Sequence, residues 1–269
     1  MLDGLRDLLR HRALVGVLVA RELKARYRGS VLGFFWSLLN PLLMLAVYSV
    51  VFQLIFPARS PSTSPYALFL FCGLLPWNWL SASLTDASAS LVVQGPLLKK
   101  VLFPAEVLPT VSVLAQGVHF LLALPVLGLA LALGAAGAFG PSVALTPALL
   151  QVPLLILLQG LFLLGAGYFL AGLTVHFRDV KDLLGTALTL WFFGTPVLYA
   201  LPDIPSPGLR GLLAWNPAAP LFAAWHDALF FGRWIGGADW ARVVAVAVVT
   251  FVIGFVFFAR LRDSYPEAV

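Results

Sequence analysis

Six stretches of this chain are long and apolar enough to cross a bilayer, and they limit the fold more than any other feature. A helix needs about 20 mostly apolar residues to pass the hydrocarbon core, where each backbone polar group must be satisfied within the segment. The stretches are 30–56, 66–93, 106–133, 146–175, 183–201 and 241–259, of which the fifth is the shortest. Of 269 residues, 61% are apolar and 11% charged, about half the charged share of an ordinary soluble domain. The expected fold class is all-α: a polytopic membrane protein with one transmembrane domain over 1–269. A single cysteine, Cys72, excludes an internal disulfide framework and a cysteine-rich metal site. The opening MLDGLRDLLRHR mixes acids and bases where a signal peptide would be continuously apolar, so none is expected.

The cations orient the spans. Thirteen of the 17 Lys and Arg residues fall on one side of the alternating segments: seven before the first stretch, then Lys99, Lys100, Arg178, Lys181, Arg260 and Arg262. Four fall on the other side: Arg59, Arg210, Arg233 and Arg242. Cytoplasmic loops carry the excess of Lys and Arg, so both termini are expected in the cytoplasm.

Residues 1–29 read as a helix lying in the inner interface. Leu2, Leu5, Leu9, Ala13, Gly16, Ala20, Leu23 and Tyr27 recur every three or four residues and define one stripe. Arg6, Arg10, Arg21, Lys24 and Arg28 cluster beside it. The central ALVGVLVA is too short to cross, which suits an amphipathic interfacial helix with its cations at the headgroups. A plain topology anchor accounts for the same pattern. Asn40-Pro41 lies inside the first apolar stretch. Pro removes a backbone donor and disturbs the preceding turn, so this span is expected to face protein or an aqueous path there.

Catalytic signatures are missing from these residues. There is no GxxxxGK[ST], HExxH or GxSxG, and His11, His119, His176 and His226 have no ligand spacing. Asp86 is an intramembrane acid amid serines in WLSASLTDASASLV, a functional position by default. One acid is a thin basis for proton coupling, and most of the serines are expected to serve helix packing. After the second span, Pro96 and Pro104 bracket a short basic and apolar segment, 97–103, which suits a small amphipathic helix. The connection HFRDVKDLLG after the fourth span is short and charged. Between the fifth and sixth spans, 202–240 is rich in Trp, Pro and Gly, and two short helices dipping into the outer leaflet fit its spacing.

Together RELKARYRGSVLGFFWSLLNPL, LPWNWLSASL, LLKKVLFPAEVLP, HFRDVKDLL, LWFFGTPVLY and WNPAAPLF resemble the permeases of type-2 class bacterial polysaccharide ABC exporters, which move O-antigen, teichoic acid or capsule precursors. They occur in that family's order and cover most of 21–225. The resemblance implies a homodimer in the bacterial inner or plasma membrane, with six spans per subunit and short external gate helices within 202–240. It also implies two copies of a cytoplasmic ATP-binding subunit, and a channel for lipid-linked glycan between the permeases. The absent P-loop agrees. No cofactor is expected in this chain, ATP and Mg being held by the partner, and no nucleic acid is expected as a partner.

Certain residues suit that work. Aromatic rings contact the apolar faces of sugars, which makes Phe35 and Trp36, beside Phe34, and Trp191, Phe192 and Tyr199, beside Phe193, the expected channel aromatics. An interfacial aromatic belt explains Trp36 as well. Arg21, Lys24, Arg26 and Arg28 can receive the pyrophosphate of a lipid carrier, since the guanidinium fork matches phosphate; ordinary anionic lipids suit them equally. For ATPase coupling, Leu97, Leu98, Val101 and Phe103 form an apolar plug, with Lys99 and Lys100 at its rim. Glu106 opens the third span, and Arg178, Asp179 and Lys181 form a charged docking loop. Three other classes remain open: a small-molecule or drug ABC exporter, an ion-coupled carrier, and a membrane-embedded transferase on lipid-linked sugars, for which Asp179 and Asp182 are the only close acid pair.

Overall fold

The computed structural model describes residues 10–52, 61–95, 104–262 and 265. Among these the chain is helical, with no β-strand. The α-helices are α1 (Arg12–Arg26), α2 (Trp36–Val50), α3 (Tyr66–Val93), α4 (Val107–Ala135), α5 (Val152–His176), α6 (Asp179–Gly194), α7 (Pro207–Ala214), α8 (Ala219–Leu229) and α9 (Gly237–Arg260). Among the described residues, four segments have the length and apolarity to cross a membrane: Tyr66–Val93, Val107–Ala135, Pro147–His176 and Gly237–Arg260. They coincide with the second, third, fourth and sixth expected spans. The protein is a multi-pass membrane protein.

The first and fifth expected spans differ. α2 is 15 residues long and starts at Trp36 rather than at 30. Gly29 and Gly33 have φ of 81° and 48°, a region costly for residues with a Cβ. The chain turns at both before a short 3-10 segment, Gly33–Phe35, leads into α2. α6 begins earlier than expected, at Asp179, and ends at Gly194 after 16 residues. The following Thr195 is extended, φ −107° and ψ 140°, as steric pressure from Pro196 dictates.

α3 is the axis of the bundle. Leu68, Phe69, Phe71, Leu80, Leu84 and Leu91 on its several faces are all fully buried, and it contacts α2, α4, α5, α6 and α8. Its serines behave as packing residues. Ser88 and Ser90 donate to the carbonyls of Thr85 and Ala87 within the same helix, at 2.8 and 2.7 Å.

Two seams differ in kind. α5 and α9 meet at Gly165 and Gly254, where a methyl added to Gly254 would overlap the carbonyl of Gly165. Such close backbone approach maximises dispersion contacts where lipid supplies no hydrophobic drive. α1 instead lies on α4 through Val15, Leu18 and Val19 against Val107 and Val111. This corrects the expected stripe, because Ala13, Gly16 and Ala20 are exposed. The segment is apolar all round, so periodicity could not select its buried face; contact with α4 selects it.

Two short helices do occur in 202–240, and α8 goes deeper than expected. It carries the fully buried Trp225 and stacks His226 on Phe69 at 4.0 Å. The Trp225 indole donates to Gln159 of α5 at 2.6 Å, and Gln159 donates to the Pro76 carbonyl of α3 at 2.8 Å. Beyond α9, Tyr265 is buried and donates to the Phe258 carbonyl at 3.0 Å.

Candidate functional site

A polar cleft of about 250 Å³ opens where α1, α2, α3 and α4 converge. Arg26, in the last turn of α1, reaches Asp86 of α3 at 2.9 Å and Gln116 of α4 at 3.2 Å. Gln116 also donates to Asp86, closing a three-helix polar triangle. Side-chain exposures of 40% for Arg26 and 32% for Asp86 leave the pair open to solvent. Deeper in, the Tyr27 hydroxyl lies 2.6 Å from Ser37 Oγ, and both lie 3.2 Å from His119 Nδ1. Trp36, Asn40, Pro41, Asn78 and Trp79 also line the cleft. Pro41 is buried, and Asn40 and Pro41 both line this cleft, which is the protein or aqueous surrounding expected of a proline inside a span.

Local sequence explains the arrangement. Gln116 and His119 are three residues apart on α4 and share a face, as Asn78, Ala82 and Asp86 do on α3 at four-residue spacing. Polar residues at helical spacing inside apolar runs were the signal for this cleft. Sequence reasoning missed Tyr27, Ser37, Gln116 and His119. It had read Asp86 alone and Arg26 as one of four headgroup cations. Arg21, Lys24 and Arg28 are exposed.

The expected channel aromatics are not gathered in one place. Phe35 is exposed and Trp36 lies at the cleft, its indole donating to Ser30 at 3.2 Å. Trp191 and Phe192 turn inward, with ring centroids 6.0 and 5.3 Å from Trp77. The Trp191 indole donates to Asn216 at 2.8 Å. Phe193 is exposed beside them. Trp191 borders an apolar groove of about 470 Å³ between α5, α6 and α9. Tyr199 lines a third and larger space of about 990 Å³, with Asp203, Trp215, Asp227 and Arg233. Burial there pushes the Asp227 carboxyl up, opposed by the nearby Arg233.

Of the expected coupling residues, Leu98, Lys99, Lys100, Val101 and Phe103 lie outside the described residues. Glu106 is 1% exposed at the start of α4, its carboxylate 3.7 Å from the Arg262 guanidinium. It faces the C-terminal segment rather than solvent. Arg178, Asp179 and Lys181 are exposed at the start of α6, where Asp179 and Asp182 complement the helix dipole. No group of three or more metal-ligating side chains occurs among the described residues.

The ABC-2 type transporter family model matches residues 13–230. The chain belongs to the ABC-2 type transporter family. Among its relatives is the O-antigen export system permease protein RfbA of Myxococcus xanthus, 37% identical over 274 residues and 100% of each chain. Two proteins of that name from Klebsiella pneumoniae are each 30% identical over 254 residues and 94% of each chain. The ABC-2 assignment matches the family expected from the ordered motifs, and makes the chain a transport subunit.

Proposed function

We propose that this ABC-2 permease exports lipid-linked polysaccharide of the O-antigen class across the bacterial inner or plasma membrane. The observation that carries the reading is 37% identity over the whole chain to a permease named for O-antigen export. Within these 269 residues no P-loop occurs, so ATP hydrolysis falls to a separate subunit. Two permeases and two ATPases form the complex, with both permease termini in the cytoplasm. α2 and α6 serve as the other two spans and border the shared channel, where protein and water rather than lipid meet their short lengths. α7 and α8 gate the outer end. Trp191, Phe192 and Tyr199, with Phe35 and Trp36, contact the moving glycan. The segment 97–103, with Glu106 and the Arg178–Lys181 turn, receives the ATPase stroke.

The test is coexpression of the chain with its ATPase in cells whose own O-antigen permease has been deleted, read by surface glycan staining. Restored staining that requires ATP hydrolysis supports the proposal. Staining that persists without the ATPase would overturn it, as would sugar transfer catalysed by the purified chain alone.

A further inference from the structure

Among the described residues from Arg21 to Arg28, only Arg26 has an acidic partner at salt-bridge distance. That partner is unusual. Asp86 sits in a long apolar helix, where an acid is costly unless paired. Arg26 and Gln116 supply its partners, yet the charged side chains of Arg26 and Asp86 stay 40% and 32% exposed. A pair this open is worth little in net terms and exchanges readily. Guanidinium also binds phosphate in the same paired manner as carboxylate, and Lys24 and Arg28, two positions away in the chain, are exposed cations.

We propose that Asp86 is a resident stand-in for phosphate. It holds Arg26 in the empty transporter, and the diphosphate of a lipid-linked glycan displaces it on loading. The inference rests on the export reading above and names the device that registers cargo. Once displaced, Asp86 keeps its bond from Gln116, while α1 loses its tie to α3. α1 then stays on α4 through Val15, Leu18 and Val19, so occupancy of Arg26 changes how firmly the interface helix is held. Asp86 is thus a positioning residue that acts through Arg26.

The experiment uses the complete permease–ATPase complex in phosphatidylcholine nanodiscs, titrated calorimetrically with farnesyl diphosphate. Removing the competing carboxylate, Asp86→Asn, should tighten binding about three- to fivefold, the range an open ion pair can withhold. Asp86→Glu should behave as wild type. Arg26→Gln should abolish the gain, so that R26Q and the R26Q/D86N double variant bind alike. Where Asp86→Asn does not assemble, Gln116→Ala should shift affinity the same way by about twofold, through a weakened clamp. Unchanged or weaker binding in these loosened variants would overturn the proposal. Competition by free pyrophosphate supports the phosphate contact. Equal competition by phosphatidylglycerol doped into the discs assigns the site to ordinary lipid and overturns the cargo assignment. Wild-type complex that exports no glycan but keeps the Asp86 dependence strikes at the export reading alone. Normal export without that dependence strikes at the stand-in alone.

Discussion

Where α5 meets α9, Gly165 and Gly254 bring two backbones together with no side chain between them. Where α1 meets α3 and α4, the join is three valine and leucine contacts and one polar triangle through Arg26, Asp86 and Gln116. The first seam has no slack: any side chain at Gly254 forces the helices apart. The second holds partners that water already reaches and that an anion can replace. One side of the subunit is therefore packed as a fixed frame, and the side carrying α1 is held by more exposed contacts. A transporter needs both, since a stroke delivered to the bundle moves cargo only if some element yields while another does not.

The largest effect should come from Gly254→Ala. Overpacking at a backbone contact is expected to cost about 3 kcal/mol or more, seen as a collapse of the thermal midpoint of detergent-purified protein. Wild-type stability in that variant would break the comparison at its firm end. Trp225→Phe comes next. It keeps the ring but strands Gln159, a loss of about 1–3 kcal/mol for an unsatisfied buried group, read by the same melt. Arg26→Gln should be the mildest in the melt, under about 1 kcal/mol for so exposed a pair, while surface glycan falls sharply. A melting loss as large as that of Gly254→Ala would make both seams structural and erase the distinction.

Much of the frame was legible in the chain. α3, α4, α5 and α9 follow from length and apolarity, because the bilayer imposes one solution on such runs. α2 was misplaced at its start, since only backbone geometry shows that Gly29 and Gly33 use positive φ. The face of α1 was misread because its central 13–20 is apolar all round and has no period to read. The cleft was half visible. Arg26 and Asp86 each stood out alone, but 60 positions separate them, and nothing in either segment points to the other. Trp191 stands out in the chain as part of an aromatic run, but its hydrogen bond to Asn216 and its edge contact with Trp77 show only in the structure.

The depth of α8 bears on how the protein is made. Gln159 lies fully buried in α5, and its side-chain carbonyl is met by an indole that leaves the ribosome much later, after α6 and α7. His226 likewise fills the space left by Gly73 on α3. Chains emerge N-terminus first, so α3 and α5 enter the membrane with an amide exposed and a slot unfilled. Insertion of 219–229 meets the Gln159 carbonyl and fills the slot, and α9 then closes the seam with α5. A chain halted before Trp225 would carry nearly every hydrophobic segment and still lack a closed core, which makes it a natural substrate for the proteases that survey unassembled membrane proteins.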